Sequence, residues 1–263
     1  MSPRNNSNDE SELEEKRLTL IEHLGELRSR IIKSLVAIFI GTVVAFIFSG
    51  DLIDILIRPC LPIIKKTYFT SILQPFNVRL KAAFFAGMIF ASPVILLQLW
   101  QFIKPALTKK EKNVTRFIFA FALVAFFIGV SFAYFLIIPV GTKVLIEYKT
   151  PLMEPLIGIN ELLNFVVFFL LAMGLVFEIP LVMMGLGKIG LVDSRTLSKN
   201  RKFAILGAVV LATIVTPGSE VLTSTILSIP LYLLYELSII LLRFMNKKSE
   251  EPEEEIEELE EEE

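Results

Sequence analysis

Three carboxylates in this chain stand where a carboxylate needs a reason. Glu178 sits in Phe177-Glu178-Ile179-Pro180, inside an almost unbroken apolar run of 27 residues from Glu161 to Gly187. As a helix that run reaches about 40 Å, enough to cross a hydrocarbon core of roughly 30 Å, with Glu178 near mid-membrane. An ionisable group at that depth either faces a bundle interior or watery cavity and marks function, or is a protonated acid bonded to a neighbouring helix as structural glue. Pro180 frees the carbonyl of Val176, so a kink beside Glu178 is expected. Glu26 and Glu111 stand instead beside apolar runs, against a basic background. Either each pairs with its neighbours, Glu26 with Arg30 at i,i+4 and Glu111 with adjacent lysines, or both serve a cationic ligand. Two carboxylates on a rigid surface suit two guanidinium groups, because Arg offers a planar pair of N–H donors and Lys does not.

The elements that hold these residues are apolar. Hydrophobic residues make up 54% of the 263, with 22 Phe, too apolar for an ordinary soluble domain and consistent with one polytopic membrane domain. The net charge of -2 conceals a basic body, because Glu250 to Glu263 is almost all glutamate. With one Cys (Cys60) and one His (His23), neither an intrachain disulfide nor a His/Cys zinc site can form. A zinc or Ser-His intramembrane protease is thereby disfavoured. No Gly-rich phosphate loop is present, and no cofactor, metal or nucleic acid is expected. The first apolar run follows a long charged segment and lacks a small-residue cleavage site, so no cleaved signal peptide is expected.

Residues 1–15 are polar and read as disordered, 16–245 as a six-helix membrane domain, and 246–263 as a disordered acidic tail. Leu20, Ile21, Leu24, Leu27 and Ile31 recur at helical spacing, with Glu22 and Glu26 on the other side. This predicts an amphipathic helix along the membrane surface, turning into span one at Ile31–Phe48. Pro59, Pro62 and Pro75 predict short helical or extended pieces over Asp51–Pro75. Span two, Val78–Ile103, carries Pro93, Gln98, Trp100 and Gln101. Span three, Phe117–Ile138, is expected to stop at Pro139, and the Glu161–Gly187 run is span four. Spans five, Phe203–Val215, and six, Val221–Leu242, have short apolar lengths if Glu236 sits at headgroup level. That pair either leaves a hollow or absorbs the mismatch by tilt and snorkelling. Lys and Arg concentrate before span one, between spans two and three, between four and five, and after six, which places both termini in the cytoplasm.

Four separated motifs carry a resemblance. They are His23-Leu24-Gly25-Glu26-Leu27-Arg28; Ser92-Pro93-Val94-Ile95 with Gln98 and Trp100; Phe102-Ile103-Lys104-Pro105-Ala106-Leu107 with Glu111; and Phe177-Glu178-Ile179-Pro180. In order and spacing, over roughly Leu18 to Phe244, they resemble the TatC family, the large membrane subunit of the twin-arginine protein translocase. The resemblance implies an all-α fold of six transmembrane helices in a concave, cupped bundle of the bacterial inner membrane. It implies a receptor for the signal peptides of folded cargo, which are recognised by a consecutive Arg pair at the cytoplasmic face. It further implies assembly with TatA and TatB single-span subunits and with further copies of itself, transport driven by the proton gradient, and no enzymatic step. Carried over by position, the signal-binding glutamates fall on Glu26 and Glu111, with Leu24 and Phe102 close by. Pro59 matches a proline of the outside loop, Glu178 the buried glutamate of span four, and Gln98 a polar group facing the same hollow. Short span five resembles the docking region for TatB. Departures are a longer turn at Pro217–Glu220, Ser224 where Gln is common, and Gly25, which leaves Glu26 with less side-chain packing beside it. A proton-coupled secondary transporter using Glu178 as carrier is the alternative, and it predicts internal repeats that residues 31–138 and 161–242 do not display. An inert scaffold would make Glu26, Glu111 and Glu178 all replaceable.

Overall fold

Helices account for nearly all of the computed structural model, which describes residues 6–64, 66–103, 112–147, 150, 154–188, 192–215, 224–225 and 227–243. In chain order they are α1 (Asn6–Ile47), α2 (Ser49–Ile57), α3 (Gln74–Ile103), α4 (Lys112–Phe132), α5 (Ile138–Glu147), α6 (Ile159–Val176), α7 (Ile179–Lys188), α8 (Ser194–Lys199), α9 (Arg201–Val215) and α10 (227–243). Among the described residues there is no strand, only an isolated parallel bridge between Tyr68 and Gly158. Among the described residues, four helical stretches are long and apolar enough to cross a membrane: His23–Ile47, Gln74–Phe102, Phe119–Glu147 and Ile159–Gly187. Helix α9 has 15 residues, about 22 Å, and is as short as its apolar run implied. Glu111, the turn 216–220 and the acidic tail lie outside the described residues.

The chain forms two compact units, Met1–Ser49 with Leu80–Phe119, and Gly50–Arg79 with Ala120–Glu263. In the first, α1 is one helix of 42 residues, with no turn between a surface segment and span one at Ile31. A change of polarity along a helix does not break it, and nothing between Leu18 and Ile47 is a breaker stronger than Gly25 and Gly41. The helix also takes in residues 6–15, where the glutamates and following Lys16-Arg17 are good helix formers once a helix is nucleated. Helix α1 packs on α3 at Gly41 and Gly87. A Cβ on Gly87 would lie 2.5 Å from Thr42 N, and one on Gly41 would lie 2.8 Å from Gly87 O. Only glycine permits backbones this close, the usual role of small residues between membrane helices.

Prolines shape the spans in three ways. Helix α3 continues through Pro93 without a break. That ring cannot donate to Ile89 O, four residues back, and Ser92 Oγ donates there instead at 2.7 Å. Pro139 does not stop span three. A π-helical turn, Ala133–Ile137, precedes it and the helix continues as α5. The wider turn relaxes the i→i−4 ladder that the proline would otherwise break. At Pro180 the expected interruption is present: α6 ends at Val176, Phe177 and Glu178 form a turn, and α7 starts at Ile179. Glu178 N donates to Leu175 O at 3.1 Å, a tightened last turn.

Helix α6 anchors the second unit, with Leu163, Val166, Val167, Leu170 and Met173 all buried. The segment between α2 and α3 is a 3-10 turn, Arg58–Cys60, followed by irregular chain, as its prolines implied. It is tied down on both sides. Tyr134 OH donates to Ile55 O at 2.7 Å, and Cys60 Sγ lies 3.4 Å from Thr142 Oγ1. The Thr142 hydroxyl gives its one proton to Ile138 O at 2.7 Å, so the thiol is the donor in that pair.

Candidate functional site

Helical spacing puts Glu26 and Arg30 on one face of α1, and they meet: Arg30 Nη2 donates to Glu26 Oε1 at 2.7 Å. Helix α3 supplies the rest of the cluster. Gln98 and Gln101, three residues apart, both accept from Arg30 Nη1, Gln98 Oε1 at 3.2 Å and Gln101 Oε1 closer still. Glu26 keeps 32% of its side chain exposed and Arg30 20%. The second carboxylate oxygen, Glu26 Oε2, has His23 Nδ1 4.0 Å away. His23 in turn stacks on Phe102, with ring centroids 4.3 Å apart and planes 15° from parallel. Leu24 beside it is 63% exposed. The result is a half-open carboxylate with an aromatic shelf and an exposed aliphatic side chain next to it. Such a surface can take a cationic group and a short apolar stretch together.

Glu178 is a different kind of site. It is 8% exposed, and neither carboxyl oxygen has a hydrogen-bond partner among the described residues. A buried carboxyl without partners costs stability. Pro180 beside it is fully buried. Pro59 occupies the first turn of the 3-10 segment, where its missing N–H costs nothing. Gln98, expected to face a hollow in the bundle, accepts from Arg30 in the Glu26 cluster.

Known proteins agree with this reading of the helices. The family described as Sec-independent protein translocase protein (TatC) matches residues 22–230. The chain belongs to the TatC family. A TatC from Carboxydothermus hydrogenoformans is 36% identical over 236 residues, 90% of this chain and 97% of that protein. One from Desulforapulum autotrophicum is 37% identical over 245 residues, 92% of this chain and 90% of its own length. A crystal structure of TatC, called there a twin-arginine translocase receptor, superposes with a TM-score of 0.74 at 35% identity, covering 84% of this chain and 98% of that one. The family is a Sec-independent protein translocase component, a transport protein of the membrane.

In this TatC, sequence reasoning found Glu26 and its pairing with Arg30 but missed the two glutamines that complete the guanidinium's shell. The signal was their i,i+3 spacing on a helix otherwise apolar at that end. It also missed the cluster joining α9 and α10. Arg201 forks onto Glu236, Nε to Oε1 and Nη2 to Oε2 both at 2.9 Å, while Tyr232 OH donates to Glu236 Oε1 at 2.6 Å. Glu236 is thus held by a partner, not merely placed at a headgroup.

Proposed function

We propose that this TatC is the signal-peptide receptor and core subunit of a translocase that exports folded proteins bearing twin-arginine signal peptides, driven by the proton gradient. The observation that carries it is Glu26: a carboxylate pinned on one oxygen, half open on the other, with Leu24, His23 and Phe102 beside it. One guanidinium of the signal's Arg pair binds Glu26 and the other binds Glu111. The apolar segment of the signal runs on past Leu24 and Phe102 into the membrane. The word receptor used of the solved relative supports the same role.

The topology that goes with this function has six spans, α9 and α10 supplying the last two, and both termini in the cytoplasm of a bacterial cell whose inner membrane holds the protein. Partners are single-span TatA- and TatB-type subunits, further TatC copies and surrounding lipid. The test is binding of a synthetic Arg-Arg signal peptide and its Lys-Lys variant to wild type and to the Glu26→Ala/Glu111→Ala double mutant. A charge-assisted hydrogen bond contributes about 1.5–3 kcal/mol, discounted here for partial exposure, so the Arg-Arg preference should drop by about tenfold or more. Equal affinity of both peptides for wild type, with TatB present as well as absent, would refute the role.

A further inference from the structure

Glu26 is not a vacant carboxylate. Its Oε1 already holds Arg30, the same chemical group that a twin-arginine ligand brings. The two ends of the Arg30 guanidinium have different partners. Nη1 rests on two neutral amide oxygens, Gln98 and Gln101, while Nη2 rests on Glu26. Both glutamines sit on α3, a helix that Glu26 does not belong to, so the guanidinium stays held if the Glu26 side chain turns away. The Glu26–Arg30 pair is also electrically neutral, which cancels the general pull that a lone carboxylate exerts on any cation.

We propose that Arg30 is an internal competitor that sets the selectivity of the Glu26 site: a ligand gains Glu26 only by displacing Arg30 Nη2, which falls back on Gln98 and Gln101. This inference rests on the receptor reading above. An incoming guanidinium replaces the displaced contact like for like, with a planar two-donor fork and weak hydration. An ammonium brings one point contact, loses a strongly bound hydration shell, and remains beside the retained Arg30 charge. The competitor therefore penalises Lys more than Arg. A surface carboxylate without it would hold either cation more tightly and discriminate poorly.

The experiment titrates a fluorescent Arg-Arg signal peptide and its Lys-Lys counterpart onto the full-length protein in lipid nanodiscs, comparing wild type, Arg30→Gln and Arg30→Lys. Arg30→Gln should tighten both peptides and tighten Lys-Lys more, shrinking the preference by about tenfold, the worth of one charge-assisted bond. Arg30→Lys, which keeps the charge but loses the planar two-ended fork, should lie between, and it carries the test if Arg30→Gln melts early by Trp100 fluorescence. Weaker Arg-Arg binding to Arg30→Gln, or an unchanged ratio, overturns the proposal and leaves the receptor reading standing. Wild type that binds the two peptides equally overturns both. A second arm needs no peptide: modification of Arg30 by phenylglyoxal, read by mass spectrometry, should rise severalfold in Glu26→Gln. An unchanged rate would show that Glu26 does not hold Arg30 and would overturn the competitor alone.

Discussion

Replacing Gly87 by Ala tests whether the α1–α3 pair owes its spacing to missing side chains. The new Cβ would lie 2.5 Å from Thr42 N, 2.7 Å from Thr42 Oγ1 and 2.8 Å from Thr42 Cα. Two of these three are backbone atoms, so no rotamer change relieves them, and α1 must move off α3 by about 1 Å to reach ordinary contact distance. Overpacking of this kind costs about 1–3 kcal/mol. Thermal unfolding in detergent, followed through Trp100, the single tryptophan, reports on the same unit. At about 2–4 °C per kcal/mol for a chain of this size, the melting temperature should fall by several degrees. Gly25→Ala is the matched control, because nothing lies within 4 Å of its Cβ position. There Ala only improves helix propensity, by up to about 1 kcal/mol, and the melting temperature should hold or rise. Equal melting of Gly87→Ala and wild type would refute the reasoning, as would equal losses in both variants.

Three further outcomes follow from the same structure. Glu178→Leu should hold or raise the melting temperature, since an unsatisfied buried polar group costs about 1–3 kcal/mol, while export of a reporter cargo falls; a lowered melting temperature would mean that the carboxyl has a structural partner. Burial pushes the Cys60 thiol above its ordinary pKa, so its thiolate is scarce at neutral pH in the folded state and maleimide labelling should be slow there. Labelling should accelerate only above the usual thiol range, or on denaturation, and rapid reaction at pH 7 would show that the segment opens. A double-mutant cycle on Arg201→Ala and Glu236→Ala, read by unfolding, should give a coupling of about 0.5–1 kcal/mol, kept small because Arg201 is 46% exposed. A coupling near zero would mean that the fork does not persist in solution.

How legible the molecule was in its sequence depended on how local each cause is. The break at Phe177–Glu178 was legible because a proline's missing N–H acts on a carbonyl four residues away. The Glu26–Arg30 pair was legible for the same reason, both partners lying on one helix face. The continuity of α1 through Ile31 was not, because a change from amphipathic to apolar composition alters what the helix touches without altering its backbone. Pro139 was misread as a stop since the π turn that admits it leaves no composition signal. Gln98 and Gln101 lie about seventy positions from Arg30, and only the packing of α3 on α1 brings them there. The Arg201–Glu236–Tyr232 cluster needed α9 and α10 side by side in the same way. Membership of the TatC family was legible throughout, because its motifs are short runs in which each residue answers a local demand.

Ser92 and Pro93 bear on how this helix can change over generations. The hydroxyl of Ser92 serves Ile89 O because the next residue cannot. While Pro93 stands, losing that hydroxyl strands a carbonyl inside an apolar span. Once Pro93 has been replaced by a residue with an N–H, the hydroxyl is redundant and Ser92 is free to drift. The two sites therefore form a ratchet with a permitted order, proline first and serine second. A lineage that has taken both steps has no single-step return through proline alone without exposing the carbonyl again.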